Sequence, residues 1–169
     1  MAKIIAMPGS IVEIEALPAL LPRQGRLLGL DLGSKTIGVA LSDVGRSIAS
    51  ALETIARTKF TKDVERLRAL IGAHAIAGIV IGLPRNMDGS EGKAAQSARS
   101  FARNLAPLVE IPLAFWDERL STVAVTRMLI EADRSRTRRE ALVDKLAASY
   151  ILQGALDRLK GVAAESAGR

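Results

Sequence analysis

The octapeptide Ile76 to Leu83, Ile-Ala-Gly-Ile-Val-Ile-Gly-Leu, constrains the fold of this chain more than any other stretch. It is far shorter than a membrane span and too continuously aliphatic for a half-solvated strand, so it reads as a strand buried on both faces of a sheet. Pro84 closes it. Residues 61–73 precede it with Val64, Leu67, Ala69, Leu70 and Ile71 near helical spacing and charges between them. Before that helix, 26–31 and 36–42 are short apolar runs separated by Gly33-Ser34-Lys35, and 48–55 completes a three-stranded meander.

After the central strand, Asn86-Met87-Asp88-Gly89 reads as a turn, and Ser90 is placed to cap a helix with Ala94, Ala98, Phe101 and Leu105 on one face. A fifth strand, 111–116, stops at Asp117-Glu118. Ser121 or Thr122 then caps a helix whose stripe is Val125, Met128, Leu129 and Ala132. Residues 134–139 are a basic link with four arginines, followed by a long helix over 139–160. Three strands followed by helix, strand, helix, strand and two helices predict an α/β domain, a mixed five-stranded sheet flanked by helices. Residues 1–25, with three prolines and no clear period, read as an N-terminal extension lying on the domain of residues 26–160. Residues 161–169 read as a flexible C-terminal tail.

With 169 residues, the chain is long enough to bury roughly 68–70% of its unfolded surface without staples. No cysteine and a single histidine exclude a disulfide framework, a thiolate zinc site and a multi-histidine metal site. Chemistry must therefore run on carboxylates, hydroxyls and basic groups. The lone His74 reads as a helix-end residue. A net charge of +6 points to a phosphate-bearing partner, while five aromatic residues are too few for a reader that stacks successive bases on several rings. Nothing reads as a secretory or membrane segment, so the expectation is a cytoplasmic protein, monomer or homodimer, with no membrane partner.

Acids stand out at three places. Asp31 and the Asp117-Glu118 pair lie where aliphatic runs end, the place where ligands collect in α/β sheets. Alternation prevents Asp117 and Glu118 from both facing one site if the strand persists through them, and by itself does not choose between them. Asp144 shares its helical face with Ala148, Ile151 and Ala155, opposite Lys145, Ser149, Gln153, Asp157 and Lys160. A carboxylate in an apolar stripe needs a partner, either an ion pair or a ligand. An all-oxygen site suits Mg²⁺ or Mn²⁺ rather than zinc. Trp116 reads as a core residue.

Four ordered motifs carry a resemblance. They are Leu28-Gly-Leu-Asp31-Leu-Gly-Ser-Lys35 continuing to Asp43, Ile81-Gly-Leu-Pro-Arg-Asn-Met-Asp-Gly-Ser-Glu-Gly92, Asp117-Glu-Arg-Leu-Ser-Thr122, and Val143-Asp-Lys-Leu-Ala-Ala148 with Ile151-Leu-Gln153. Over residues 26–160 the chain resembles the YqgF family of pre-16S rRNA nucleases and Holliday-junction-resolvase-like proteins. The resemblance implies an RNase H-like fold and an acidic triad of Asp31, Glu118 and Asp144 that binds metal. It also places Lys35, Arg119 and Lys145 beside the triad and implies a precursor rRNA or branched DNA substrate, with ribosomal particles as further partners. Arg136, Arg138 and Arg139 add a basic cluster that can neutralise phosphates.

Two other readings remain open on the residues. Asp31-Leu-Gly-Ser-Lys resembles the phosphate loop of actin-like and sugar-kinase ATPases, although no second such loop follows. The second rival is an RNA-binding or ribosome-assembly factor whose acids bind a structural metal or nothing.

Overall fold

The computed structural model describes residues 9–120 and 136–168; in the last helix, side chains are described from Lys145 onward. Six strands form one mixed sheet: β1 (Ile11–Val12), β2 (Arg26–Leu32), β3 (Thr36–Ser42), β4 (Ala49–Ala56), β5 (Ile76–Leu83) and β6 (Leu113–Asp117). Their order is β1-β6-β5-β2-β3-β4. β1, β6, β5 and β2 run parallel, and β2-β3-β4 is the antiparallel meander. The expected five strands form as a block. The sixth comes from the N-terminal segment, where Ile11 and Val12 pair with Leu113 and Ala114. A 3₁₀ segment at Ile14–Leu20 then buries Ile14 and Leu17. Residues of the N-terminal extension thus extend both the sheet and the core.

The helices α1 (Phe60–His74) and α2 (Lys93–Leu105) cover one face, and α3 (Arg136–Ala167) covers the other. Alternation sorts the strand residues between the two layers. Leu28, Leu30, Ile79, Ile81 and Leu113 pack toward α1 and α2, whereas Leu27, Val80, Ala114 and Trp116 pack toward α3. β5 is buried along its length, as a central parallel strand must be.

Several boundaries differ from expectation. Ser90 does not cap α2: its N–H and Oγ both donate to Asp88 Oδ1, at 2.9 and 2.5 Å. That local turn uses the hydroxyl, so the helix starts at Lys93 and buries Ala95 with Ala98, Phe101, Ala102 and Leu105, leaving Ala94 exposed. Residues 136–139, read as a link, are helical, and α3 continues to Ala167, past the expected end at Lys160. The alanines and Glu165 there favour helix, and Arg158 pairs with Glu165 at 3.2 Å. The helix expected over Val125, Met128, Leu129 and Ala132 lies outside the described residues. No described helix is long and apolar enough to cross a membrane.

Candidate active site

Asp31 sits on the face of β2 that looks toward α3. Leu28 and Leu30 point to the other layer, so residues 27, 29 and 31 share this one. Asp31 is 4% exposed, and Glu118 is 7% exposed. β6 ends at Asp117, and Glu118 opens a 3₁₀ turn, Glu118–Leu120. Glu118 leans over β5: a Cβ placed on Gly82 would stand 3.0 Å from Glu118 Oε1 and would collide with Ile151 of α3. Gly82 pairs with Trp116, and Leu30 pairs with Ile81, so the strand ends carrying Asp31 and Glu118 flank the Gly82 position from either side.

α3 approaches this part of the sheet closely because the strands carry no side chain there. A Cβ on Gly29 would stand 2.7 Å from Leu152 Cβ and 3.1 Å from the Ala148 carbonyl. Ala148, Ile151 and Ala155, the face shared with Asp144, are fully buried. Gln153, expected on the solvated side, instead accepts from the Ala49 N–H at 2.9 Å and donates to the Ser47 carbonyl at 3.1 Å. Those bonds tie α3 to the β3–β4 turn. Residue 144 lies in α3 one turn before Ala148. Its side chain, like those of Arg136, Arg138 and Arg139, is outside the described set. Lys145 is partly buried.

Asp117 takes the opposite side of β6 from Glu118. Its carboxylate receives Arg119 Nη2 at 2.7 Å and Nε at 3.1 Å, with Arg85 Nη1 at 3.6 Å. The Arg119 guanidinium holds the Asp117 carboxyl below the usual carboxylate range, and Asp117 in turn raises the Arg119 pKa. The network continues through Arg85–Glu91 at 3.4 Å to Arg99, whose guanidinium lies 5.1 Å from the Phe115 ring centre. Hydrogen bonding from Arg99 lowers the Glu91 pKa. Arg85 Nε is buried with no hydrogen-bond partner among the described residues.

Lys35 is exposed on the turn after β2. Arg57 braces that turn: its N–H donates to the Lys35 carbonyl at 2.8 Å, and its Nη1 to the Gly33 carbonyl at 2.6 Å. Sequence reasoning missed Arg57 and Arg85. Arg85 was visible in Gly-Leu-Pro-Arg, directly after the central strand, but its partners are remote in sequence. Trp116 is in the core, against Gly154 of α3, with Nε1 unpaired among the described residues. His74 is the last residue of α1. Asn86 of the loop at 82–89 lies beside Gly92, the residue that precedes α2, with Ser90, Glu91 and Gly92 between loop and helix in the chain.

Among the described residues, no group of three His, Cys, Asp or Glu side chains is placed to hold a metal ion. The two buried carboxylates and the cradle over Gly82 nevertheless have the all-oxygen chemistry that a hard divalent cation takes.

A meander, three further parallel strands and helices on both faces, with acids at strand ends, make the frame of a nuclease of the resolvase class. The family model described as RuvX, Holliday junction resolvase, matches residues 25–158. The chain belongs to this RuvX/YqgF family. A protein of Cereibacter sphaeroides (strain ATCC 17025 / ATH 2.4.3), named pre-16S rRNA nuclease, is 62% identical over 147 residues, covering 87% of this chain and 92% of its own. One of the same name from Paramagnetospirillum magneticum is 62% identical over 145 residues, covering 86% and 94%. Among solved structures, Thermus thermophilus RuvC in complex with Holliday junction substrate aligns with a TM-score of 0.49 and 13% identity, over 80% of this chain and 96% of that one.

Proposed function

We propose that this protein is a divalent-metal-dependent endonuclease that trims precursor 16S rRNA during ribosome assembly in the cytoplasm, with residues 26–160 as the nuclease domain. Asp31, Glu118 and Asp144 would hold Mg²⁺ or Mn²⁺. The observation that carries this reading is the burial of Asp31 and Glu118 at strand ends on the one sheet face covered by α3. Two carboxylates spend burial free energy there that a solvent-facing turn would not require, and a cation offsets that cost. When bound, the ion lowers the pKa of an attacking water and neutralises charge on the phosphate.

The protein's own groups supply the rest. Lys35, on a turn braced by Arg57, can meet a phosphate beside Asp31. Arg119 and Lys145 follow Glu118 and Asp144 in the chain, and Arg136, Arg138 and Arg139 would add phosphate contacts. The names of the 62%-identical relatives support a precursor rRNA substrate. The family description supports branched DNA as the second reading.

The deciding experiment incubates the purified protein with Mn²⁺ and matched precursor 16S rRNA, single-stranded RNA and four-way DNA junctions, then maps the ends. Cleavage in the precursor flank, lost in Asp31→Asn and Glu118→Gln while affinity in chelator stays within a few-fold, is the expected result. Preferential cutting of junctions would move the assignment to branched DNA. Either variant cutting at the wild-type rate would remove that residue from the site.

A further inference from the structure

We infer that Met87 and Leu120 form an apolar rim that packs on an unpaired nucleobase flanking the phosphate to be cut, an inference that rests on the nuclease reading above. Met87 is 85% exposed and Leu120 69%, the two most exposed large hydrophobic side chains among the described residues. They lie on neighbouring loops, after β5 and β6, at the strand ends that carry Glu118 and face Asp31.

Single exposed apolar side chains need no explanation, but these two share a mount. Arg119 precedes Leu120 in the chain, and its Nη1 donates to the Met87 carbonyl at 3.5 Å. The Met87 loop is also closed on itself. The Asn86 N–H donates to the Ser90 carbonyl and the Gly89 N–H to the Asn86 carbonyl, both at 2.9 Å, while Asn86 Nδ2 reaches Ser90 Oγ at 3.0 Å. The apolar side chain therefore projects from a fixed backbone, which lowers the ordering cost of any contact it makes.

The chemistry of the surroundings selects the occupant. Arg85 and Arg119 beside the rim are already paired with Asp117 and Glu91, so the rim itself offers an apolar contact, next to the strand ends where the reading above puts the phosphate. A nucleotide meets both at once. Methionine's thioether packs well on π faces, and Met and Leu are among the apolar side chains that proteins insert between base steps. Bases inside an intact duplex have both faces covered, so the base contacted here is unpaired or unstacked. Both an RNA flank and a DNA branch can offer one, and the strands tested below distinguish them.

The test measures binding in chelator of short RNA and DNA strands, intact or with abasic residues in place of each base in turn, by fluorescence anisotropy. Met87→Ala with Leu120→Ala should weaken binding of the intact strand about five- to tenfold, the scale of one lost stacking contact. It should leave binding unchanged where the contacted base is already missing. Met87→Phe should restore or strengthen the contact. Ile48→Ala, which removes an exposed side chain on the β3–β4 turn at the far end of the sheet, should change nothing. Loss on RNA alone, or on DNA alone, identifies the source of the base. An unchanged affinity for the intact strand, or an equal loss on every abasic strand, overturns the inference. If base-dependent binding appears but the wild type cuts nothing with Mn²⁺, the rim stands and the nuclease reading falls.

Discussion

Glu118 fills the space that a side chain at position 82 would need: its Oε1 lies 3.0 Å from where a Cβ on Gly82 would stand. The missing side chain on β5 thus lets an acid from the end of β6 turn back over the sheet toward the strand that carries Asp31. Ile151 of α3 closes the same space from above.

Gly82→Ala should therefore destabilise the fold by about 1–3 kcal/mol, the usual cost of overpacking, and should also displace Glu118. Gly29→Ala is the control, since its Cβ meets Leu152 and the Ala148 carbonyl but not Glu118. Thermal melts of the two variants should be comparably lowered. Nuclease rate at a temperature where both are folded should fall further for Gly82→Ala; equal rates would mean that Glu118 keeps its place.

Asp117 gives a prediction with a definite sign. Arg119 holds its folded pKa below the unfolded value near 4, so the pair's stabilisation is present above that value and is lost as pH falls through the folded pKa. Asp117→Asn should be less stable than wild type at neutral pH, with the gap narrowing below about pH 4. Denaturant melts at pH 7 and below pH 4 check this, and a gap that widens in acid would contradict it.

Leu17 is fully buried in the segment before β2, together with Ile14. Leu17→Ala should cost about 2–5 kcal/mol, as in other cores, and a denaturation midpoint within error of wild type would show that this segment merely rests on the domain.

Replacing Arg136, Arg138 and Arg139 with Gln together should weaken binding of all nucleic-acid sequences alike. It should reduce the slope of log K against log salt by up to about 2–3, at roughly 0.7–0.9 per phosphate contact. A salt titration with an unchanged slope would return these arginines to solvent.

The central strand, the meander, the acids at strand ends and the buried face of Ala148, Ile151 and Ala155 were legible because each follows from periodicity, a property of neighbours in sequence. So was the family, from four ordered motifs. The split between Asp117 and Glu118 was not legible in periodicity, and only the resemblance chose Glu118, since it depends on where β6 gives way to a 3₁₀ turn and on which layer each side then meets. Nor was the strand at Ile11–Val12, whose two residues have no pattern of their own and are extended only because the edge of β6 offers partners. Ser90 has the composition of a helix cap, yet Asp88 two residues away takes its hydroxyl first. Gln153 reads as a residue of the solvated side, and Arg85 stands out only as part of a motif, until folding brings the Ser47–Ala49 backbone to the one and Asp117 and Glu91 to the other. Sequence fixed which groups carry charge and which face of each element is apolar. Tertiary structure decided which charges meet, because ion pairs and close approaches over glycine join residues far apart in the chain, and no local period encodes those distances.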